Sequence, residues 1–465
     1  MPILGAYVVP HPPILIPEVG RGEEQKIALT AAAYEKVARE IRELKPETII
    51  LTTPHLILYQ DYFHIAPGQA GIGDFSRFGA AEVHLETPYD RSFILDLSLA
   101  LAEADFPAGT EGADDPVMDH ATTVPLYFIT KEYQDFQLVR IGLSGLSLAD
   151  HYRLGMYVRE TVDRLDRRVV FLASGDLSHY LTEDGPYGFD PNGPLYDEKI
   201  MDILSRSAFH EILTMDPALY GPAGECGHRS FAIMAGALDR TGVTARKLSY
   251  EGPFGVGYGI VAFDLSGEDP TRNFLDQNQK QHIQDREESK KSASPHARLA
   301  LAVMEASLEG RPFDMEAFTD RSGLPEEMLS EAAGVFVTLH KNGQLRGCIG
   351  TLAPATDSVA EEIRRNAIES AFHDPRFPPV TLEEFSQLDV SVDVLMPPEA
   401  VRSLAELDPL SYGVIVTCGE RRGLLLPDLE GITTAEEQVS IARAKAGIGE
   451  SDPVDLQRFK VVRHI

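Results

Sequence analysis

The sequence has 465 residues, which is too long for one ordinary domain, because chains divide into units of roughly 100 to 200 residues. Hydrophobic residues make up 43% of the chain and charged residues 25%, values that exclude wholesale disorder and fibrous repeats. The 42 Lys and Arg residues against 72 Asp and Glu residues give a formal net charge of −30, which repels phosphate backbones and anionic membrane surfaces. We therefore expect neither nucleic acid nor a membrane among the partners.

The cysteines and the N-terminal residues indicate the compartment. Cys226, Cys348 and Cys418 are far apart and form no Cys-x-x-Cys pair, so neither a disulfide framework nor a cysteine-rich zinc site is expected. The N-terminal stretch is broken by prolines and has no basic segment, and no apolar run is long enough to span a membrane. These features predict a cytoplasmic protein.

A polar segment divides the chain. Residues 266–295 are highly charged and almost free of aliphatic side chains, a composition typical of a linker between domains. This segment leaves an N-terminal domain of residues 1–265 and a C-terminal domain of residues 296–465, each large enough to fold alone.

The N-terminal domain alternates strand and helix patterns. Strands are expected at 3–9, 48–53, 137–143 and 168–173, and helices are expected within 23–44 and at 148–165. The segment 48–53 has too few polar positions to face water, as is typical of a buried parallel strand. This order predicts an α/β fold with a mostly parallel sheet.

The C-terminal domain has a different pattern. Helices are expected at 296–308 and 358–372, and strands at 334–340, 389–395 and 413–417. Its many Gly and Pro residues indicate several tight turns. We expect an α+β fold with a mixed sheet.

Histidines follow three of the expected strands. His11 and His55 come after the first two strands, which we expect to be neighbours, and His179 comes after a later one. Ligands of open α/β sheets bind beyond the carboxyl ends of the strands, so the three imidazoles are expected on one rim. His120, in a loop or at a helix N-terminus, is a fourth candidate. A single such histidine is more often a backbone-bonded loop residue, but three at strand ends favour a site.

The composition of this cluster limits the metals it would bind. Two histidines with one carboxylate suit non-haem Fe(II), whereas three histidines suit zinc. The anion is expected within GECGHRSF, where Glu225 offers a hard carboxylate and Cys226 a soft thiolate. A thiolate would shift the preference toward copper or zinc, and Glu225 is equally well explained as a helix-capping residue.

Five segments carry a family resemblance over residues 1–265. VVPHPP, TTPH, DHATTVPL, SGDLSHYL and GECGHRSF, in this order, resemble the LigB-type catalytic subunit of class III extradiol dioxygenases and its Memo-like relatives. The resemblance implies His11, His55 and Glu225 as Fe(II) ligands, His179 as the acid-base group and His120 as a second polar contact. Memo-like relatives carry a cysteine at the third position, which corresponds to Cys226, so both candidates stay open.

The C-terminal domain resembles the AMMECR family over about 170 residues, through LRGCIG, TLAP and ESAFHDPRFPP. Arg346, Cys348 and His373 are its groups capable of chemistry, although Cys348 between apolar neighbours is more typical of a buried side chain than of a nucleophile. Fusions of the two domains resemble the AmmeMemoRadiSam system. That resemblance implies a radical-SAM protein as a partner.

The first functional hypothesis is an Fe(II)-dependent extradiol-dioxygenase-like enzyme acting on a catechol-type or phenolic substrate. His179 would move the phenolic proton, and Asp176 is the first candidate to fix its tautomer. The alternative is a Memo-like module that binds a metal or a partner without turnover, which a Cys226 ligand would favour.

Overall fold

The computed structural model describes residues 2–465 except 114–115, 279, 282–292, 342–343, 386, 428 and 430–431. The chain divides into two compact units, Met1–Gln281 and His282–Ile465. Each unit has its own buried apolar core, as an independent fold requires. Within the described parts of the chain, every helix is too short or too polar to cross a membrane.

A six-stranded sheet forms the centre of the first unit. The strands of this unit are β1 Ile3–Val9, β2 Thr48–Thr53, β3 Phe63–His64, β4 Ala70–Phe75, β5 Ala80–Pro88, β6 Ala108–Gly109, β7 Gln137–Gly142, β8 Val169–Ser174, β9 Thr241–Glu251 and β10 Tyr258–Glu268. The strand order in the central sheet is β7-β2-β8-β1-β10-β9. The first four of these run parallel, and β10 and β9 add an antiparallel hairpin at the edge. The predicted α/β fold with a mostly parallel sheet is confirmed.

Helices surround this sheet. They are α1 Pro17–Gly20, α2 Ala28–Leu44, α3 Arg91–Glu103, α4 His120–Glu132, α5 Leu148–Leu165, α6 Asn192–Ser205, α7 His210–Thr214, α8 Pro217–Ala223 and α9 His228–Ala237, with short 3-10 turns at Pro13–Leu15, Glu23–Ile27, Ser76–Phe78 and Pro270–Arg272. Helix α5 begins at a reciprocal capping box, in which Ser147 and Asp150 satisfy each other's backbone N–H groups. Most residues of α4 and α9 are buried, which places both helices against the sheet.

The hairpin of β4 and β5 lies on the start of α4 and has no counterpart in the sequence analysis. Its close approach depends on glycine: a Cβ at Gly73 would lie 2.4 Å from the Cγ2 atom of Thr123 in α4. A Cβ at Gly71 would lie 2.7 Å from the Tyr89 hydroxyl. The short strands β3 and β6 form a separate parallel pair.

The first unit extends into the segment assigned to the linker. Strand β10 continues to Glu268, and residues 274–278 are helical. Phe274 and Leu275 are buried in the core of the first unit. Two apolar side chains in a polar segment are enough to attach it to the core, so the expected boundary at residue 265 lies too early. Of the remaining linker residues, 282–292 lie outside the described residues, and a helix of the second unit begins at Pro295 with Ser294 as its N-cap.

The second unit contains two four-stranded sheets. Its strands are β11 Val335–Lys341, β12 Gln344–Gly350, β13 Leu388–Leu395, β14 Glu399–Val401, β15 Gly413–Cys418, β16 Arg421–Leu425, β17 Asp455–Phe459 and β18 Val461–His464. The sheet orders are β12-β11-β13-β18 and β14-β17-β15-β16. Its helices are Pro295–Leu308, Met315–Ser322, Glu326–Ser330, Val359–Ile368 and Leu382–Phe385, a π-helical turn Glu369–His373, a 3-10 turn Leu404–Glu406 and the helix Ala435–Lys445.

The α+β class of this unit is confirmed, but the expectation of a mixed sheet is wrong. All pairings between its described strands are antiparallel. Only residues 342–343 separate β11 from β12, and a parallel connection would require a dozen residues or more.

Candidate functional site

The loops after β1 and β2 and the segment before α9 meet at one point. His11 Nε2 lies 3.2 Å from His55 Nε2 and 3.6 Å from Cys226 Sγ. One ligand atom from each residue lies within 4.8 Å of the other two, which is close enough for all three to hold one metal ion. The expectation that β1 and β2 are neighbours is wrong, because β8 lies between them. The two histidine loops therefore reach toward each other across the carboxyl end of β8.

Ser174, the last residue of β8, determines which ring nitrogen of His11 carries the proton. The Ser174 hydroxyl lies 2.7 Å from the Ala121 carbonyl oxygen and 3.0 Å from His11 Nδ1. A carbonyl only accepts, so the hydroxyl donates its proton there and accepts from the Nδ1–H of His11. Burial and the neighbouring histidines lower the pKa of His11 well below its usual value, so the ring is neutral. Its Nε2 lone pair is therefore directed toward His55 and Cys226, as a metal ligand requires.

The contacts of Cys226 and Glu225 show which of the two faces the histidines. Cys226 Sγ accepts a hydrogen bond from the Asp176 backbone N–H at 3.2 Å, beside the two histidines. The Glu225 carboxylate instead accepts from the backbone N–H of His228 at 2.5 Å, at the first residue of α9. Burial raises the pKa of Glu225 to about 7. Among the described residues, Cys226 completes the cluster, whereas Glu225 has the contact of a capping residue.

Two glycines bring Cys226 to the end of β8. A Cβ on Gly175 would lie 2.1 Å from the Cα of Gly227, so the two backbones touch. A side chain at either position would separate the segment before α9 from the sheet. Burial, followed by the charges of Asp176 and Glu225, raises the pKa of Cys226 well above its usual value, so its thiol is protonated until a cation binds.

Asp176 holds His11 rather than His179. Its Oδ1 accepts the backbone N–H of His11 at 2.7 Å, and its Oδ2 lies 3.9 Å from His11 Nε2. Burial and the charge of Asp197 raise the pKa of Asp176 to about 7, against the lowering effect of the His11 hydrogen bond. Between these two described residues, Asp176 and His179, no hydrogen bond is formed. The expected role of Asp176 in fixing the His179 tautomer is thus not supported.

His120 and His179 border the cluster. His120 is the first residue of α4, and its ring stacks on that of His55 with centroids 4.3 Å apart. Burial and the His55 charge lower the pKa of His120 to about 4. The His179 ring stacks on Tyr187 at 5.2 Å, and its Nε2 is buried without a hydrogen-bond partner in the described structure. Burial and His55 also lower the pKa of His179, so both rings are neutral near pH 7.

The sequence analysis missed two contributors to this site. Ser174 ends an otherwise apolar strand, and that single polar position was the available signal. Phe78, on the hairpin of β4 and β5, contacts His120 edge to face at 5.5 Å. Nothing local in the sequence indicates this contact, because it depends on how the hairpin packs.

The candidate residues of the second unit have structural contacts. Cys348 is half-buried on β12, with Sγ 3.3 Å from the Thr338 hydroxyl. Arg346 makes a two-pronged ion pair with Glu384, through Nε at 2.8 Å and Nη2 at 2.9 Å. His373 lies 3.4 Å from Glu369, and both side chains are exposed. The first two contacts join β12 to β11 and to the helix Leu382–Phe385, and the third lies within the π-helical turn Glu369–His373.

Family comparisons divide the chain into two parts, as the fold does. Residues 5–261 match the family described as the catalytic LigB subunit of aromatic ring-opening dioxygenase, and residues 297–464 match the AMMECR1 family. A Clostridium acetobutylicum protein is 41% identical over 100% of this chain and 99% of its own length. A Thermotoga maritima protein is 50% identical over 37% of this chain and 97% of its own. The crystal structure of protein PH0010 from Pyrococcus horikoshii is 33% identical, covering 36% of this chain and 88% of that one, with a TM-score of 0.32.

Proposed function

We propose a function for this chain from the family to which it belongs, that of LigB-type dioxygenase catalytic domains, here fused to an AMMECR1 domain. The first unit is proposed to be a metal-dependent, extradiol-dioxygenase-like enzyme for a catechol-type or phenolic substrate. The observation that carries the proposal is the cluster of His11, His55 and Cys226 at the carboxyl ends of parallel strands, with the unpaired Nε2 of His179 in the same site.

The donor set fits a transition metal. His11 presents a neutral Nε2, and the thiol of Cys226 already accepts one hydrogen bond, as a thiolate ligand would. Iron(II) is the proposed ion because of the family, and zinc or copper are the alternatives that a thiolate favours. When bound, the ion would supply Lewis acidity to the phenolic oxygens and redox chemistry toward dioxygen.

The side chains of this chain have separate proposed roles. Asp176 accepts the backbone N–H of His11, and Ser174 accepts the Nδ1–H of its ring, so the imidazole keeps one orientation. His120 stacks on His55 and limits its rotation. The neutral His179, with an unpaired Nε2, accepts the phenolic proton and returns it during ring opening.

A second candidate function has one supporting observation. The third donor near the histidines is the Cys226 sulfur rather than the Glu225 carboxylate. A thiolate ligand favours a module that binds a metal without cleaving rings. A radical-SAM protein is a proposed partner in either case, because the fusion of the two domains resembles the AmmeMemoRadiSam system.

Oxygen uptake distinguishes the two functions. The full chain is purified anaerobically, loaded with Fe(II) and mixed with a panel of diols, while oxygen consumption and the absorbance of ring-opened products are followed. Diol-dependent uptake that is lost in the His11→Ala/His55→Ala variant supports the enzyme. A wild-type chain that holds iron but consumes no oxygen with any diol would favour the binding module.

A further inference from the structure

The loop between Leu181 and Phe189 is held in place by its backbone. The Leu181 N–H donates to the Gly255 carbonyl at 3.0 Å, and Leu181 forms an antiparallel bridge with Phe189. Gly185, in the middle of the loop, also touches Gly255, because a Cβ on Gly185 would lie 3.0 Å from the Cα of Gly255. The loop is therefore attached at both ends and at its centre, and Tyr187 projects from a fixed backbone.

Tyr187 covers the proposed acid-base residue. Its ring stacks on that of His179, with centroids 5.2 Å apart and an angle of 23° between the planes. Tyr187 is 57% exposed, whereas the His179 Nε2 is buried. Tyr187 is thus the outer layer, and it lies between one face of the imidazole and the solvent.

Tyr180 connects this tyrosine to the segment before α9. The Tyr180 ring contacts Tyr187 edge to face, with centroids 6.3 Å apart. The same ring packs closely on Gly224 and leaves no space for a Cβ there. Gly224, with a φ of +62°, is two residues before Cys226. The cover over His179 is therefore attached to the segment that carries the proposed sulfur ligand.

The orientation of the His179 ring depends on packing. The His179 backbone N–H donates to the Ala223 carbonyl at 3.2 Å, a contact that fixes the main chain only. A base must keep its acceptor nitrogen free, and the Nε2 has no hydrogen-bond partner in the described structure. An aromatic pair has a preferred stacking geometry, so the ring of Tyr187 can orient the imidazole while leaving that nitrogen free.

We propose that Tyr187 is a positioning residue for His179: its ring holds the imidazole in one direction and excludes solvent from the outer face. This inference rests on the proposed function, since it takes His179 as the acid-base group. The contact comes from the aromatic ring of Tyr187 rather than from its hydroxyl. Phenylalanine should therefore replace the residue, whereas alanine should not.

Chemical modification tests the cover without any turnover. The metal-free full chain is treated with diethylpyrocarbonate, and the rate at which His179 is modified is followed by mass spectrometry of its peptide. Tyr187→Ala should raise this rate about twofold to tenfold, the effect of losing one aromatic pair. Tyr187→Phe should keep the wild-type rate. Phe189→Ala removes another exposed aromatic ring of the same loop and is the matched control, with an unchanged rate.

Kinetics of the Fe(II)-loaded full chain test the positioning. With a diol that supports oxygen uptake, Tyr187→Ala should lower kcat per bound iron about twofold to tenfold and leave KM unchanged, and Tyr187→Phe should restore kcat. Burial lowers the pKa of His179, so its exposure in Tyr187→Ala should also move the acid limb of kcat/KM up toward pH 6.5. A loss of folded protein alone would change neither kcat per bound iron nor this limb.

Equal modification rates in the wild type and Tyr187→Ala would overturn the inference. A Tyr187→Phe chain that behaves like Tyr187→Ala would also overturn it, because the effect would then belong to the hydroxyl. So would a Phe189→Ala chain that is modified as fast as Tyr187→Ala, or a Tyr187→Ala chain with wild-type kcat and acid limb. If the wild type consumes no oxygen with any diol, the proposed function fails, and the modification rates alone decide whether Tyr187 covers His179.

Discussion

Replacing Ser174 by alanine keeps His11 but removes the hydroxyl that orients its ring. Ser174 is fully buried, and its hydroxyl serves both His11 Nδ1 and the Ala121 carbonyl. Ser174→Ala leaves one buried donor and one buried acceptor without a partner, at about 1 to 3 kcal/mol each, so the free energy of unfolding should fall by roughly 2 to 6 kcal/mol. The ring also loses the acceptor that keeps the proton on Nδ1. Metal affinity should then fall about 10- to 100-fold.

The assay is urea denaturation of the metal-free chain together with metal titration of the folded one. Ser98→Ala is the control, because the Ser98 hydroxyl donates to the Ile94 carbonyl within α3, a helix that carries none of the candidate histidines. It should leave metal affinity at the wild-type value. A Ser174→Ala chain that loses stability but binds metal as tightly as the wild type would refute the argument that Ser174 fixes the His11 tautomer.

Four further outcomes are expected. Cys226→Ser should weaken metal binding roughly 100-fold or more, whereas Glu225→Gln, which keeps the capping oxygen, should change it by less than about threefold in equilibrium dialysis; the opposite order would restore Glu225 as the ligand. His179→Ala should retain the metal while diol-dependent oxygen uptake falls roughly 10²- to 10⁴-fold. Because the pKa of His179 is lowered, its basic form persists as the pH falls, so the acid limb of kcat/KM should lie below pH 6.5; a limb above that value would argue against His179 as the base. A fragment ending at Gln281 should fold. A fragment ending at Leu265 lacks the buried side chains of Phe274 and Leu275, so its free energy of unfolding, measured by thermal and urea denaturation, should be lower by about 3 to 6 kcal/mol. Equal stability of the two fragments would mean that residues 266–281 do not belong to the first unit.

The parts of the site that follow strands could be predicted from the sequence. The apolar runs that become β1, β2 and β8 are local patterns, and in a parallel sheet their carboxyl ends share one edge. The residues after them, His11, His55 and His179, were therefore found without the structure. The order of the strands in the sheet cannot be derived from local sequence patterns. For this reason β1 and β2 were wrongly expected to be neighbours.

The third donor could not be chosen from the sequence. Glu225 and Cys226 are adjacent, and the sequence does not show which of the two faces the histidines. The hydrogen bond that Glu225 accepts from the His228 N–H turns its carboxylate to the start of α9, and the contact of Gly175 with Gly227 brings Cys226 to the histidines. The second of these depends on packing between distant segments. The same reason applies to the hairpin that carries Phe78.

X-ray absorption spectroscopy at the absorption edge of the bound metal tests most directly the central claim that His11, His55 and Cys226 hold the ion. The metal-loaded wild-type chain should show one sulfur neighbour at about 2.3 Å together with nitrogen neighbours at about 2.0 to 2.2 Å. The sulfur contribution should disappear in Cys226→Ser and persist in Glu225→Gln. A wild-type spectrum with nitrogen and oxygen neighbours alone would contradict a metal centre formed by His11, His55 and Cys226.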